Sequence, residues 1–323
     1  MLISIISLVS GFILLIWSAD TFTDNGAKIA NIFKISPLII GILIFGFGTS
    51  APEMLVSGLA AFEGHPELSV GNAFGSNILN IALVLGVTAM IIPIKIELKV
   101  IKKEWFYLMF ATLVAGLLLW DRHLGVMDGS ILLVLLVAFL LFTCSESKKE
   151  HHEFDNLSSS VDGNHKGKIW TILLISFIVL LVSAKLIVFG GTSLAVQFGV
   201  SDLIIGLTVV ALGTSLPELA VSITSAVKKQ HEMVVGNIIG SNLFNTIGVL
   251  AIPGLISPLV VPEKLITRDY PFMLVLTTLI FLFVASHNLV RKVLLIDWWA
   301  FCLFLFCVST STYCFGISCK QPG

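Results

Sequence analysis

The sequence predicts an all-α membrane protein in which ten transmembrane helices form two inverted five-helix repeats. Of its 323 residues, 56% are hydrophobic and only 12% are charged, and the mean hydropathy is +1.01, a composition that excludes a soluble domain. Ten apolar stretches reach the roughly 20 residues that a helix needs to cross the hydrocarbon core. A block of 59 residues recurs 165 positions later along the chain.

The ten predicted spans are joined mostly by short segments. Each is expected to be helical, because a helix satisfies its own backbone polar groups inside the bilayer. No basic segment precedes the first span, which is therefore predicted to be an uncleaved helix rather than a signal peptide. The predicted spans are 2–33, 36–61, 68–94, 104–120, 125–144, 168–198, 201–227, 233–258, 269–287 and 293–315.

The one extended polar segment, residues 145–167, is predicted to be a cytoplasmic linker between a first repeat at 1–144 and a second at 168–323. Its histidines and acidic residues follow no known metal-ligand spacing, so no site is assigned there. Lysines and arginines concentrate on the cytoplasmic side of membrane proteins. With the N-terminus outside, fourteen of them fall inside, four outside and one, Lys185, within a span. Both termini are therefore predicted to be external.

The two halves of the chain contain a duplication. Residues 36–94 align without a gap onto residues 201–259, and 25 of the 59 pairs are identical. The motif GTSAPE at Gly48–Glu53 recurs as GTSLPE at Gly213–Glu218, and VGNAFGSNILN recurs as VGNIIGSNLFN. Because each repeat contains five spans, the second copy is expected to enter the membrane from the opposite side. This arrangement is typical of secondary transporters, whose substrate sites lie near the midplane.

Two glutamates indicate the charge of the substrate. Glu53 and Glu218 are the only ionisable groups within the apolar bodies of the four repeat helices. A carboxylate in hydrocarbon is costly unless it is paired or faces a polar cavity. Neither motif contains a cationic side chain, so the expected partner of the two carboxylates is a substrate cation.

Oxygen ligands surround each glutamate in the sequence. Thr49 and Ser50 lie four and three residues before Glu53, so the three side chains share one face of a helix. The same four-residue spacing separates a serine from an asparagine in each copy of the second motif. The proline before each glutamate lacks an N–H and frees the carbonyl four residues earlier. Hydroxyl, carbonyl, amide and carboxylate oxygens suit Ca²⁺ or Na⁺.

Close helix packing is the alternative interpretation of the small residues. GNAFG and GNIIG each have the spacing of a GxxxG helix contact. Packing alone does not explain two glutamates beside prolines at a fixed offset. The whole pattern therefore favours an ion site.

The paired motifs resemble the two alpha repeats of the calcium/cation antiporter superfamily, which includes the sodium/calcium exchangers. The whole chain is similar to the YrbG-type inner-membrane exchangers of bacteria. This resemblance implies the sodium/calcium exchanger fold, in which spans 2, 3, 7 and 8 surround a central ion site and the long spans 1 and 6 slide against them. It also implies a location in the bacterial inner membrane.

The resemblance further implies roles for twelve residues at matching motif positions. Ca²⁺ would be held by Glu53 and Glu218 with the main-chain oxygens of Thr49 and Thr214. Na⁺ sites would be flanked by Ser50, Ser76, Ser215 and Ser241 with the carbonyls of Gly46 and Ala211, while Asn80 and Asn245 would line the centre.

Two positions depart from the resemblance. Ala211 matches Gly46, which keeps the carbonyl but alters the local rigidity. Asn245 stands where several family members have an aspartate. With amides at both Asn80 and Asn245, the pocket has two formal negative charges, so transport is predicted to be independent of K⁺.

The expected function is secondary antiport by alternating access, in which cytosolic Ca²⁺ leaves as Na⁺ enters. No GxxxxGK[ST] motif is present, so ATP is not an expected partner. We also expect no enzymatic activity, cofactor or nucleic-acid partner, and a monomer in the lipid bilayer as the functional unit. Ca²⁺/H⁺ exchange on the same fold is the alternative, because a buried glutamate can carry a proton. A cation channel, or a hydrolase using Ser50 or Thr49, fits less well: inverted repeats favour a carrier, and the motif spans contain no histidine base.

Charged and sulfur-containing residues outside the motifs lead to two more expectations. Asp20 and Lys185 occupy equivalent positions in spans 1 and 6, near mid-span, where a lone charge is costly. We predict that they lie near the pseudo-two-fold axis and pair with each other; the alternative is that each snorkels or faces a polar crevice separately. Most of the five cysteines are expected to be apolar fillers, with an external disulfide between Cys314 and Cys319 left open.

Overall fold

The computed structural model describes residues 1–154, 166–199 and 211–287, and these residues are almost entirely helical. The helices are α1 Leu2–Phe33, α2 Pro37–Phe62, α3 Pro66–Ile91, α4 Leu98–Leu118, α5 Val126–Phe154, α6 Lys166–Gln197, α7 Leu216–Val227, α8 His231–Ile256 and α9 Tyr270–His287. A short helical turn, Ala211–Thr214, precedes α7, and a π-helical turn, Leu265–Asp269, precedes α9. Strands β1 His123–Leu124 and β2 Leu259–Val260 form a small antiparallel ribbon.

Seven helices of the described part are long and apolar enough to cross a membrane. They are Leu2–Phe33, Pro37–Phe62, Pro66–Ile91, Val126–Ser145, Gly167–Gln197, His231–Ile256 and Leu265–Leu282. α4 covers the fourth predicted span, but three lysines and a glutamate in its first turns make it more charged than these seven. The seventh predicted span is described only from residue 211, and the tenth lies outside the described residues. Four of the five cysteines also lie outside them. The count of ten spans therefore stays a prediction.

Several helices depart from α-helical geometry at the motifs. α2, α3 and α8 contain π-helical turns at Gly41–Gly46, Asn80–Leu85 and Phe244–Val249. Such turns are rare and frequently occur at functional sites. The regular helix is also broken at Ser50 and Ser215, immediately before the Leu/Ala-Pro-Glu steps. The break has a physical cause, since proline cannot donate to the carbonyl four residues earlier and its ring crowds that carbonyl.

The ends of the helices recur at the offset seen in the sequence. Left-handed backbone conformations follow α1 at Lys34, with φ of 51°, and α6 at Gly199, with φ of 75°. They also follow α2 at Gly64 and α7 at Lys229, with φ of 84° and 60°. Each pair is 165 residues apart, and this conformation commonly ends a helix. The described halves thus share local structure as well as sequence, while their opposite directions across the membrane remain a prediction.

The helices pack in two groups. α1 and α6 lie side by side along most of their length. Phe22 of α1 contacts Phe177 of α6 and Phe45 of α2, with ring centroids 5.8 and 4.9 Å apart. A larger apolar cluster joins α2 and α3 to α4, α5, α8 and α9. The α1–α6 pair therefore borders the group of helices that contains the motifs.

Glycines allow α2 and α8 to approach backbone to backbone. A Cβ atom placed on Gly46 would lie 2.8 Å from the Cα of Gly240, and one on Gly236 would lie 2.5 Å from the carbonyl oxygen of Leu38. No side chain fits at such distances. Gly236 and Gly240 of GNIIG therefore serve close helix packing, as the alternative interpretation expected for that motif, and the packing brings α8 directly against the turn that leads to Ser50.

The predicted pairing of Asp20 with Lys185 is wrong. Lys228, which follows α7, lies 2.8 Å from Oδ1 of Asp20 and 2.6 Å from Oδ1 of Asp24. Lys185 is exposed on α6 and has no ion-pair partner among the described residues. The reason is that α1 packs along α7, which brings the residue after α7 to the acidic side of α1. Asp20 is thus ion-paired with Lys228, whereas Lys185 lies exposed at a separate place.

The segment predicted to be a linker is partly helical. α5 continues to Phe154, and α6 begins at Lys166. Residues 155–165 lie outside the described part of the chain. Cys144 is a free, exposed thiol near the end of the membrane part of α5, whereas the pairing of Cys314 with Cys319 concerns residues that the structure does not describe.

Candidate cation site

The predicted site residues lie in the elements that meet at the centre of α2, α3, α7 and α8. α7 packs against the π-turn of α3, and the second half of α2 packs against the π-turn of α8. Nine of the twelve side chains are at most 4% exposed: Thr49, Ser50, Glu53, Ser76, Asn80, Ser215, Glu218, Ser241 and Asn245. Gly46 is also buried, Thr214 is half-buried, and Ala211 begins the short turn before α7.

Glu53 and Glu218 are both buried, at 1% and 0% exposed. Asn237 links their segments, because it accepts from the Thr49 hydroxyl and donates to the main-chain oxygen of Glu218. Each glutamate lies in the first turn after a helix break, where the positive end of the helix dipole favours an anion. Neither forms an ion pair with any described residue. Two uncompensated carboxylates are expensive to bury. The arrangement therefore lacks positive charge that a bound cation would supply.

Other polar atoms around the carboxylates also lack partners in the described part of the chain. The atoms without a hydrogen-bond partner there are Oε2 of Glu53, both carboxylate oxygens of Glu218, the hydroxyls of Ser50 and Ser215 and both side-chain amide atoms of Asn80 and Asn245. The great majority of buried polar atoms in proteins are paired. A group of unpaired oxygens beside two carboxylates is the donor set of a hard cation such as Ca²⁺ or Na⁺.

Thr49 joins the first motif to α8. Its hydroxyl lies 3.3 Å from Oδ1 of Asn237 and 3.2 Å from Oγ of Ser241. Ser241 in turn lies 3.4 Å from the carbonyl oxygen of Gly46, to which it donates. The Thr49 hydroxyl is also near the carboxylate of Glu218, but the hydrogen bonds it forms are with Asn237 and Ser241 of α8. The structure thus places four of the predicted residues in one contact network.

Two asparagines that the sequence interpretation missed hold the glutamate turns in place. Asn72 Nδ2 donates to the main-chain oxygen of Glu53 at 3.1 Å and to Oγ of Ser57 at 3.0 Å. Asn237 Nδ2 donates in the same way to the main-chain oxygen of Glu218 at 3.3 Å and to Oγ of Ser222 at 3.0 Å. Both pairs of residues are identical at the 165-residue offset, and this signal was available in the sequence.

A third repeated asparagine connects α3 with α8. Asn77 Nδ2 donates to Oγ1 of Thr246 at 2.8 Å. Its repeat equivalent, Asn242, is buried, and its side chain forms no hydrogen bond with any residue that the structure describes. Polar side chains therefore join α3 to α8 as well as α2 to α8, and these contacts differ between the two halves.

A family comparison accounts for both halves of the chain. Residues 3–145 and 168–316 match the family described as sodium/calcium exchanger protein. The two matches leave out most of the segment predicted to be a linker. They cover more than half of the chain.

Relatives and solved structures agree with this family. The chain is 38% identical over 300 residues to the putative antiporter CaxA of Alkalimonas amylolytica, covering 91% of this chain and 93% of that one. It is 37% identical over 285 residues to the inner membrane protein YrbG of Escherichia coli, covering 86% and 87%. A structure of the sodium-calcium exchanger NCX_Mj superposes with a TM-score of 0.84 at 31% identity, covering 97% and 99%. The chain therefore belongs to the sodium/calcium exchanger protein family.

Proposed function

We propose that this protein exports Ca²⁺ from the cytosol in exchange for Na⁺ by alternating access. One observation carries the proposal: Glu53 and Glu218 are buried together, without counter-charge among the described residues, and are ringed by unpaired oxygens. The family and fold are those of cation antiporters. The choice of Na⁺ as the exchanged ion, the direction of transport and the ligand assignments are parts of the proposal.

The charge of the site explains why transport is coupled. One Ca²⁺ or two Na⁺ neutralise the two carboxylates, so either load can be carried through an occluded state. An empty site would have to carry two bare charges through a dry environment, which is costly. Because the empty site passes through the occluded state only at this high cost, the protein favours exchange of ions over leak.

The named relatives support this choice of ions. Structures of NCX_Mj were obtained after soaking with Na⁺ together with Sr²⁺ or Ca²⁺. A relative from Methanosarcina acetivorans is named sodium/calcium exchanger MaX1. We extend these ions to the present chain because its own donor set consists of oxygen atoms.

The ligand roles are proposed as the motif matches imply. Glu53 and Glu218, with the main-chain oxygens of Thr49 and Thr214, hold Ca²⁺. Na⁺ binds beside Ser50, Ser76, Ser215 and Ser241 and the carbonyls of Gly46 and Ala211, while Asn80 and Asn245 line the centre. The hydrogen bond between Ser241 and Gly46 joins two of these proposed Na⁺ ligands. We further propose that the exchanger works as a monomer in the bacterial inner membrane, with both termini external.

Ion flux into proteoliposomes tests the proposal. Purified protein is reconstituted with Na⁺ inside, and uptake of radioactive Ca²⁺ is followed under separately imposed Na⁺ and H⁺ gradients. We expect uptake that depends on the Na⁺ gradient and persists when the H⁺ gradient is collapsed. Uptake driven only by the H⁺ gradient would establish the Ca²⁺/H⁺ alternative, and uptake indifferent to both gradients would refute antiport.

A further inference from the structure

An ion-pair cluster outside the cation site joins α1 to α7. The Nζ atom of Lys228 lies 2.8 Å from Asp20 Oδ1 and 2.6 Å from Asp24 Oδ1, and it donates to the main-chain oxygen of Asp20 at 2.7 Å. The side chain of Lys228 is 20% exposed, so the ammonium is largely enclosed by its acidic partners. The cluster connects a helix of the α1–α6 pair to a helix that holds a site glutamate.

The 165-residue offset maps this cluster onto a second pair of opposite charges. Asp20 corresponds to Lys185, and Lys228 corresponds to Glu63. The equivalent of the Asp20–Lys228 ion pair is thus Lys185 with Glu63, in which the acid and the base have changed places. Lys185 and Glu63 are both exposed, and neither has an ion-pair partner among the described residues.

The two equivalent helix contacts differ in this structure. α1 packs closely along α7, and Trp17 and Asp20 line a groove there with Leu216 and Ala220. On the equivalent side, Lys185 lines a groove between α6 and the second half of α2, where the helices make far fewer contacts. One contact is closed and ion-paired, whereas its repeat equivalent is loose and unpaired.

We propose that the two charge pairs are alternative latches of the transport cycle. Asp20 and Asp24 with Lys228 hold the state described here. Lys185 with Glu63 holds the opposite state, in which α6 lies along α2 as α1 now lies along α7. The reasoning is that inverted repeats exchange conformations between the two access states. This inference rests on the alternating access of the proposed function. Asp24 corresponds to Phe189, so the second latch has one acid fewer and is the weaker one.

Cross-linking of the full-length protein in membranes tests the latches. In a variant with all five native cysteines replaced by serine, we introduce Glu63→Cys with Lys185→Cys, or Asp24→Cys with Lys228→Cys. Each pair spans residues 145–167, so a protease site placed there separates the two halves on a denaturing gel unless a disulfide joins them. Glu63→Cys with Lys228→Cys is the matched control, because those residues belong to different latches.

We expect both latch pairs to cross-link and the control pair not to do so. Cross-linking of the 24/228 pair without any cross-linking of the 63/185 pair, under all ion conditions, would overturn the proposal. So would cross-linking of the control pair at the same rate as the 63/185 pair. Adding Lys228→Gln to the 63/185 variant is expected to raise its rate of cross-linking about two- to fivefold, because an ion pair of this exposure stabilises one state only modestly. An unchanged rate would contradict the latch.

The cross-linking outcome is independent of which ions are exchanged. If wild-type protein fails to show Na⁺-driven Ca²⁺ uptake but the 63/185 pair cross-links, the proposed ion coupling fails and the latches stand. If Na⁺-driven uptake is present and the 63/185 pair never cross-links, the latches fail and the proposed function stands.

Discussion

The contact between a long helix and a glutamate helix differs between the two halves of the molecule. α1 packs along α7, and Nζ of Lys228, which follows α7, lies 2.8 Å from Oδ1 of Asp20 and 2.6 Å from Oδ1 of Asp24. The equivalent contact of α6 with the second half of α2 is looser, and Lys185 and Glu63 have no ion-pair partner among the described residues. Equivalent segments of a duplicated sequence thus pack closely in one half and loosely in the other.

This difference shows that the duplication is not used symmetrically at one moment. The polar contacts of the motif helices differ as well: Asn77 of α3 donates to Thr246 of α8, whereas its equivalent, Asn242, has no side-chain hydrogen bond to any described residue. A protein that must open its site to two sides in turn requires such an inequality, because a single symmetric packing would open both sides or neither.

The largest expected effect concerns the buried glutamate that each half contains. Glu53→Gln and Glu218→Gln are each expected to abolish Ca²⁺ transport, because Ca²⁺ would then face one carboxylate and an amide in a dry site. The measurement is radioactive Ca²⁺ uptake into proteoliposomes containing equal amounts of folded protein. Glu67→Gln, which changes an exposed carboxylate outside both the site and the proposed latches, is the control. Wild-type uptake by either site variant would refute the central assignment.

A smaller effect is expected at the asparagines that position the glutamate turns. Asn237→Ala should weaken the apparent Ca²⁺ affinity by roughly tenfold to a hundredfold, since leaving a buried acceptor unpaired costs about 1–3 kcal/mol. Asn72→Ala should have a smaller effect, because only Asn237 also accepts the hydroxyl of Thr49. The concentration dependence of Ca²⁺ uptake gives both values. Equal losses in the two variants would show that the Thr49 contact contributes nothing to binding.

The glycines of α8 provide a direct test of its close contact with α2. Gly240→Ala is expected to lower the free energy of unfolding by about 1–3 kcal/mol, because the added methyl group overlaps the backbone of α2. Gly58→Ala is the control, since a Cβ at Gly58 meets no described atom within 4 Å, and it should not lower the free energy of unfolding. Thermal unfolding in detergent compares them. Equal destabilisation would mean that α8 does not pack backbone to backbone against α2 in solution.

The smallest expected effect is that of K⁺. With amides at both Asn80 and Asn245, the two site carboxylates supply the formal charges of the pocket among its described residues, so an additional K⁺ would be uncompensated. Replacing K⁺ by choline should leave Na⁺-driven Ca²⁺ flux unchanged. Asn245→Asp adds a charge to one half only and should introduce K⁺ sensitivity. Loss of most of the wild-type flux in choline would contradict this prediction.

Much of the site could be predicted because its residues are chemically out of place. Carboxylates, amides and hydroxyls within apolar spans have to be satisfied, so Glu53, Glu218 and their repeated neighbours indicate a cation site without any coordinates. Asn72 and Asn237 recur at the same offset but were not assigned, because a backbone-directed amide has no signature beyond its repetition. The pairing of Asp20 with Lys185 failed because equivalence by sequence does not bring two positions into contact.

The sequence by itself determined that the chain is an α-helical membrane protein, that its halves are duplicated, and which oxygens lie near the two glutamates. These properties follow from composition and from spacing along single helices, where neighbours are close in sequence. Tertiary structure decided that α8 packs against the first motif, that Lys228 is the partner of Asp20 and Asp24, and that the equivalent contacts of α1 with α7 and of α6 with α2 are packed unequally. Contacts between distant segments depend on how whole helices are placed, and two copies of one sequence can adopt different placements because packing free energies differ little between alternative arrangements.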